Sequence, residues 1–241
     1  SKISFKLTPK PRGELTLRTS FSDDKSMHEF VSDIFSTSLM PLAAACTHET
    51  TYSNEMGKYP DYTSVCYLRI GGGIRSLTKQ TSMIDTIATN HCAVKRERID
   101  TLQSESLWQE IRDYSGKRFE VIGRISSVPS NIHEIEKNIS KKLNDSKLGH
   151  TMICQPGFGT SLLFIRGIET KGEESGVRIL KSLRQSVNAY KGTLVYEKIP
   201  ISWKHSLDVW NADQIPALQQ MRILKQTYDP NSIMSSGRFV I

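Results

Sequence analysis

The chain predicts an α+β fold, an antiparallel sheet with helices on one face, built twice in succession. Two observations carry this. Short stretches rich in β-branched and apolar residues alternate with stretches of helical apolar spacing, and the order strand, helix, strand, strand, helix occurs in each half. Only residues 200–216, with Trp203, His205 and Trp210, read as irregular connection, and there is no low-complexity tract.

In chain order, strands are expected near residues 2–7 and 14–20. A helix near 24–37 is opened by Ser22-Asp23-Asp24. A strand near 40–46, a turn-rich loop at 47–61 and a strong strand at 62–70 follow. The run Gly71-Gly72-Gly73 then leads into a helix reaching about residue 89, and residues 104–114 form a shorter helix around Trp108. The second half repeats the theme. Residues 119–128 alternate as a strand, and 130–143 place Ile132, Ile135, Ile139 and Leu143 at helical spacing. Strands at 152–154 and 160–168, a long amphipathic helix at 173–190 and a strand at 193–199 complete it. This order is typical of ferredoxin-like split β-α-β units, so the expectation is a pair of such units. Pseudo-repeats fall at 1–115 and 116–200, within one domain at 1–214. Residues 215–241 are a closing helix and tail. Leu218, Met221, Ile223, Leu224 and Tyr228 approximate one helical face, and Pro230 disfavours helix at Asp229.

The 241 residues suffice for a substantial core, and 37% hydrophobic with 24% charged residues describe a soluble globular chain. No apolar run approaches the roughly 20 residues that span a bilayer. The opening Ser1-Lys-Ile-Ser-Phe-Lys-Leu7 alternates like a strand rather than a signal peptide, so a cytoplasmic location is expected. Net charge is +7, but Lys and Arg are dispersed. The densest patch, Lys95-Arg96-Glu97-Arg98, reads as solvated surface, and no nucleic-acid partner is expected. Cys46, Cys66, Cys92 and Cys154 include no close pair, which argues against a zinc, iron–sulfur or CxxC redox motif. They read as buried, reduced thiols.

The tail carries a resemblance. Met221-Arg222-x-x-Lys225, then Asp229-Pro230-Asn231-x-Ile233, then Gly237-Arg238-Phe239 resembles the C-terminus of FAD-linked oxidases of the vanillyl-alcohol oxidase type. The opening Ser4-Phe5-Lys6-Leu7-Thr8-Pro9-Lys10-Pro11 is similar to the point where such oxidases leave the FAD-binding domain for the substrate-side cap domain. Tyr67-Leu68-Arg69-Ile70-Gly71-Gly72 is similar to a cap strand. Within the family the resemblance is greatest to the E subunit of glycolate oxidase. The loop Gly149-His150-Thr151-Met152-Ile153-Cys154-Gln155-Pro156-Gly157-Phe158-Gly159 keeps one His but lacks the Asp and second His of the family's metal- and substrate-binding motif. No metal site is therefore expected. Ser235-Ser236 also replaces the Asn-Pro pair common before the terminal Gly-Lys or Gly-Arg.

The resemblance implies a cap domain of a FAD-dependent oxidoreductase acting on a small 2-hydroxy acid, with partner oxidase subunits. The FAD domain is not represented, so tight FAD binding by this chain is not expected. Gly237 and Arg238 would face that domain. Oxidation of a 2-hydroxy acid needs a cation for the carboxylate, a base for the hydroxyl proton and a flavin for the hydride. Arg69, Arg124 and Arg166 lie on predicted strands and suit the carboxylate, because a planar guanidinium gives two parallel charge-assisted bonds. Each also reads as a surface arginine on an open sheet face. His150 precedes a strand and the Gly157-Phe158-Gly159 turn, which makes it the candidate base ahead of His91; a structural histidine fits the same position. Gly71-Gly72-Gly73 reads either as a phosphate cradle or as a strand-to-helix turn. A rival from another class uses the same α+β sheet as a non-catalytic assembly or binding module.

Overall fold

The computed structural model describes residues 4, 10–49, 64–114 and 119–234. The expected strand at 2–7, most of the loop at 47–61, and Gly237 and Arg238 lie outside the described residues. The architecture is α+β, with eight strands and six α-helices among the described residues. The chain divides into two compact units, Ser1–Lys117 with Thr151–Phe158, and Arg118–His150 with Gly159–Ile241.

The first unit contains β1 (Gly13–Phe21), α1 (Asp24–Ser36), β2 (Ala43–Glu49), β3 (Ser64–Gly72), α2 (Ile74–Asn90), β4 (Lys95–Ile99) and α3 (Thr101–Arg112). It also takes in most of β6 (Gly149–Gln155), a strand from the second half of the sequence. Its strands neighbour one another in the order β4-β1-β3-β2-β6, all antiparallel. The helix α1 begins where the sequence says. Asp23 caps it by accepting the Ser26 N–H at 2.8 Å, and Met27, Phe30, Val31 and Ile34 form its buried stripe. Phe21 of β1 meets Phe30 with ring centroids 5.2 Å apart. The helix α1 therefore packs on the face of β1 that bears Leu15, Leu17, Thr19 and Phe21. Leu77 of α2 would touch a Cβ placed at Gly13, which puts α2 on the same face.

Three features of this unit differ from the sequence reading. Residues Lys95–Ile99, expected only as a solvated patch, form a strand paired to β1 in the register Thr16↔Ile99, Arg18↔Glu97 and Ser20↔Lys95, with Arg96 and Arg98 exposed. Charged side chains suit it because it is an edge strand among the described residues, where charge opposes unwanted pairing. The second feature is α3, which lies on the opposite face from α1 and α2. The Thr16 and Ser104 hydroxyls are 2.6 Å apart, and Trp108 donates its indole N–H to Thr16 Oγ1 at 2.9 Å. The expected loop at 47–61 also begins late, since β2 extends to Glu49.

The second unit runs β5 (Val121–Ser126), α4 (Pro129–Asp145), β7 (Thr160–Arg166), α5 (Glu173–Ala189), β8 (Thr193–Lys198) and α6 (Leu218–Tyr228). Its strands neighbour in the order β7-β5-β8, antiparallel. Ile132, Ile135, Ile139 and Leu143 are all buried on α4, as their spacing requires. Buried Glu136 of α4 accepts from Ser161 of β7 at 2.5 Å, and the Tyr196 hydroxyl donates to the Leu180 carbonyl of α5 at 2.7 Å. Those contacts place both helices on the face carrying Val121, Gly123 and Ile125. Gly159 (φ +61) adopts a left-handed conformation, and a Cβ there would strike the Ser127 carbonyl.

The helix α6 ends at Asp229 as Pro230 predicts. The Asp229 carboxylate pairs with Lys225 and accepts the N–H groups of Ile233 at 2.9 Å and Met234 at 3.0 Å. Lys225 foremost, then these backbone donors, hold its carboxyl below the ordinary carboxylate range. No α6 residue is buried, and Ile223, Leu224 and Tyr228 are exposed. No described helix is long and apolar enough to cross a membrane.

Candidate functional site

The strand β1 alternates Glu14, Thr16, Arg18 and Ser20 on one side with Leu15, Leu17, Thr19 and Phe21 on the other. Directly opposed residues share a face, so the polar side continues into Arg69, Tyr67 and Val65 on β3 and Ile99, Glu97 and Lys95 on β4. Arg69 pairs with Glu14, and Arg18 pairs with Glu97 and bonds Tyr67. Lys95 adds a second cation to Glu97 at 2.8 Å. Since Arg18 faces Tyr67 and Arg69 stands two residues further along the same strand, the two arginines are diagonal neighbours on one face.

Burial sets the electrostatics. Arg18 is only 4% exposed, and α3 covers this end of the face through Ser104 and Trp108. Burial opposes the Arg18 charge, but bonds to Tyr67 and Glu97 outweigh it and hold the guanidinium above its ordinary pKa. Burial likewise opposes the Glu97 charge; Lys95 and Arg18 overcome it and leave the carboxyl below its ordinary range. Arg69 differs in exposure, because its head is 29% exposed against 4% for Arg18, while its Nε is buried and makes no hydrogen bond among the described residues. Three cations thus meet two carboxylates, and the Arg69 guanidinium is the more exposed of the two. Such a face can receive a small carboxylate by charge-assisted hydrogen bonds.

Of the residues singled out from sequence, Arg69 belongs to the first unit, while Arg124, Arg166 and His150 belong to the second. Arg124 pairs with Glu197 at 2.6 Å, with its side chain about half exposed. The Arg166 guanidinium lies 4.3 Å over the Phe119 ring. His150 is 2% exposed, with Nε2 3.2 Å from the Ser140 hydroxyl and Nδ1 3.4 Å from the Leu148 carbonyl. Arg18, Tyr67, Glu97 and Glu14 were not singled out; the Glu-x-Thr-x-Arg-x-Ser alternation on β1 is the signal that would have found them.

The glycine run is a strand-to-helix turn, with Gly71 and Gly72 ending β3 and Gly73 capping α2. Gly71 and Gly72 are ladder residues opposite Glu14 and Gly13, and a Cβ at Gly71 would press on Leu42 and Pro11. Close packing explains them. Among the described residues no group of His, Cys, Asp and Glu could hold a metal ion.

No family model and no curated protein matches the sequence. Solved structures do. A p-cresol methylhydroxylase with substrate bound is matched over 95% of this chain and 53% of its own, at 12% identity and TM-score 0.59. A 4-ethylphenol oxidase from Gulosibacter chungangensis gives 95% and 54%, at 12% identity and TM-score 0.58. An alkyldihydroxyacetonephosphate synthase gives 92% and 44%, at 12% identity and TM-score 0.50. The fold is shared with FAD-linked oxidases. At this identity the likeness concerns fold alone, and the chain spans about half the length of these neighbours.

Proposed function

We propose that the chain is the substrate-side cap of a FAD-dependent oxidoreductase subunit acting on a small, glycolate-like 2-hydroxy acid. The flavin is held by a further part of the same protein or complex. The observation that carries this reading is the polar face of the first unit, where the partly exposed Arg69 head stands beside the buried Arg18. Fold likeness to FAD-linked oxidases supports the reaction class.

In this reading Arg69 takes the substrate carboxylate, with Arg18 and Tyr67 fixing the face around it. The cap shields the reacting carbon from water, and bound FAD supplies the hydride acceptor. The cap is built from two split β-α-β units, and α6 with Gly237 and Arg238 meets the flavin-binding part and partner subunits.

The test is anaerobic flavin reduction in the protein that carries its flavin-binding part. Glycolate or lactate bleaches the flavin, whereas ethylene glycol, which lacks the carboxylate, does not. Equal bleaching by the acid and the diol would overturn the carboxylate assignment. A flavin that no 2-hydroxy acid reduces would instead favour a non-catalytic assembly module, the reading to which the exposed apolar residues of α6 also lend weight.

A further inference from the structure

Three of the four cysteines, scattered through the sequence, come together in the first unit. The register sets Cys66 of β3 opposite Cys46 of β2, and Cys46 opposite Cys154 of β6. Thr19 and Arg96 extend the same row across β1 and β4. Opposed residues share a face, and Thr19 has the parity of Phe21, so the three thiols point to the face that α1 covers. All are fully buried and none is in a disulfide. Cys92 stands apart and is exposed.

Backbone geometry makes the central thiol special. In an antiparallel sheet the N–H and C=O of one residue point to the same neighbouring strand. Cys46 therefore forms a hydrogen-bonded pair with one of its cysteine partners and a non-hydrogen-bonded pair with the other. The former spaces Cα atoms about 5.5 Å apart, the latter about 4.5 Å with the side chains closer. Disulfides need Cα atoms roughly 4.4–6.8 Å apart and Cβ atoms about 3.5–4.5 Å apart, which the narrow pair approaches best. Cys66 and Cys154 are separated by two strand spacings, about 9–10 Å, and are not bridgeable directly.

We infer that this row is a peroxide-oxidisable thiol site in which Cys46 forms one cross-strand disulfide with its narrow partner. Hydrogen peroxide oxidises one thiol of the pair to a sulfenic acid and is itself reduced to water. The second sulfur then attacks the sulfenic sulfur, the S–S bond forms, and the hydroxyl leaves as a second water with the attacking thiol's proton. The third cysteine remains a thiol within one strand of the bond. The link would staple β2 to a neighbour from inside the core. Because the thiols are buried, the reaction is slower than oxidation of Cys92. This inference stands independently of the proposed substrate.

The test uses the full chain carrying Cys92→Ser, exposed to hydrogen peroxide, then denatured and alkylated without reduction. The expected product has lost two hydrogens and keeps one alkylatable thiol. Trypsin separates the three cysteines into residues 26–58, 59–69 and 148–166. One linked pair containing 26–58 is expected, and the mass loss disappears in Cys46→Ala. Three fully alkylated cysteines after an exposure that oxidises Cys92 in the unsubstituted chain would overturn the inference. So would a Cys66–Cys154 link, an even mixture of both Cys46 links, or sulfinic acids without any link. The peptide map on the Cys92→Ser chain decides the matter even where Cys46→Ala folds poorly.

Discussion

Each unit joins its first strand to a neighbouring strand through an arginine–glutamate pair, and the two pairs differ in what lies over them. In the first unit Arg18 of β1 meets Glu97 of β4; in the second, Arg124 of β5 meets Glu197 of β8. The Arg18 side chain is 4% exposed and that of Arg124 is 48% exposed. The first unit carries α3 across its polar face, anchored by Ser104 and Trp108 on Thr16. Similar chemistry on a similar strand pair thus becomes a desolvated charge in one unit and a surface ion pair in the other. A cation that is to recognise a small anion benefits from the first setting, where neighbouring groups fix its position before the ligand arrives.

The largest effect should come from removing one carboxylate of the buried pair. Glu97→Ala leaves Arg18 charged inside the unit and should cost about 3 kcal/mol in urea unfolding. Acid should reproduce part of this loss. The Glu97 carboxyl has a folded pKa below its unfolded value, so its contribution is complete above the ordinary carboxylate range and fades as pH falls through the lowered folded value. Stability measured as a function of pH should therefore fall less steeply in Glu97→Gln than in the unsubstituted chain. Trp108→Phe keeps an aromatic ring, though a smaller one, but removes the donor to Thr16, and should cost about 1 kcal/mol. Glu197→Ala, in the exposed pair, should change unfolding by less than about 1 kcal/mol. Equal costs for Glu97→Ala and Glu197→Ala would remove the contrast between the units.

How far the sequence could be read depended on whether local chemistry decided the matter. The helix α1 was legible because Asp23 and the spacing of Met27, Phe30, Val31 and Ile34 specify its start and its face without help from elsewhere. The stop at Asp229 was legible because Pro230 restricts the residue before it. The strand β4 was not, since Lys95-Arg96-Glu97-Arg98 places charge on both faces and offers no apolar period. Arg69 was singled out by strand position alone. Arg18 was missed because its importance comes from α3, more than eighty residues away in the chain, returning to cover the face. The row of Cys66, Cys46 and Cys154 was hidden for the same reason, as strand order and register bring together cysteines with no sequence spacing to connect them.

The most direct measurement of the central claim is the rate of flavin reduction by glycolate with Arg69→Met, in the protein carrying its flavin-binding part. Loss of a charge-assisted contact to the substrate carboxylate should lower the apparent second-order rate about 10–100-fold, with the flavin spectrum before reduction unchanged. The same rate in Arg69→Met and the unsubstituted protein would contradict the account, because the polar face of the first unit would then have no part in holding the substrate.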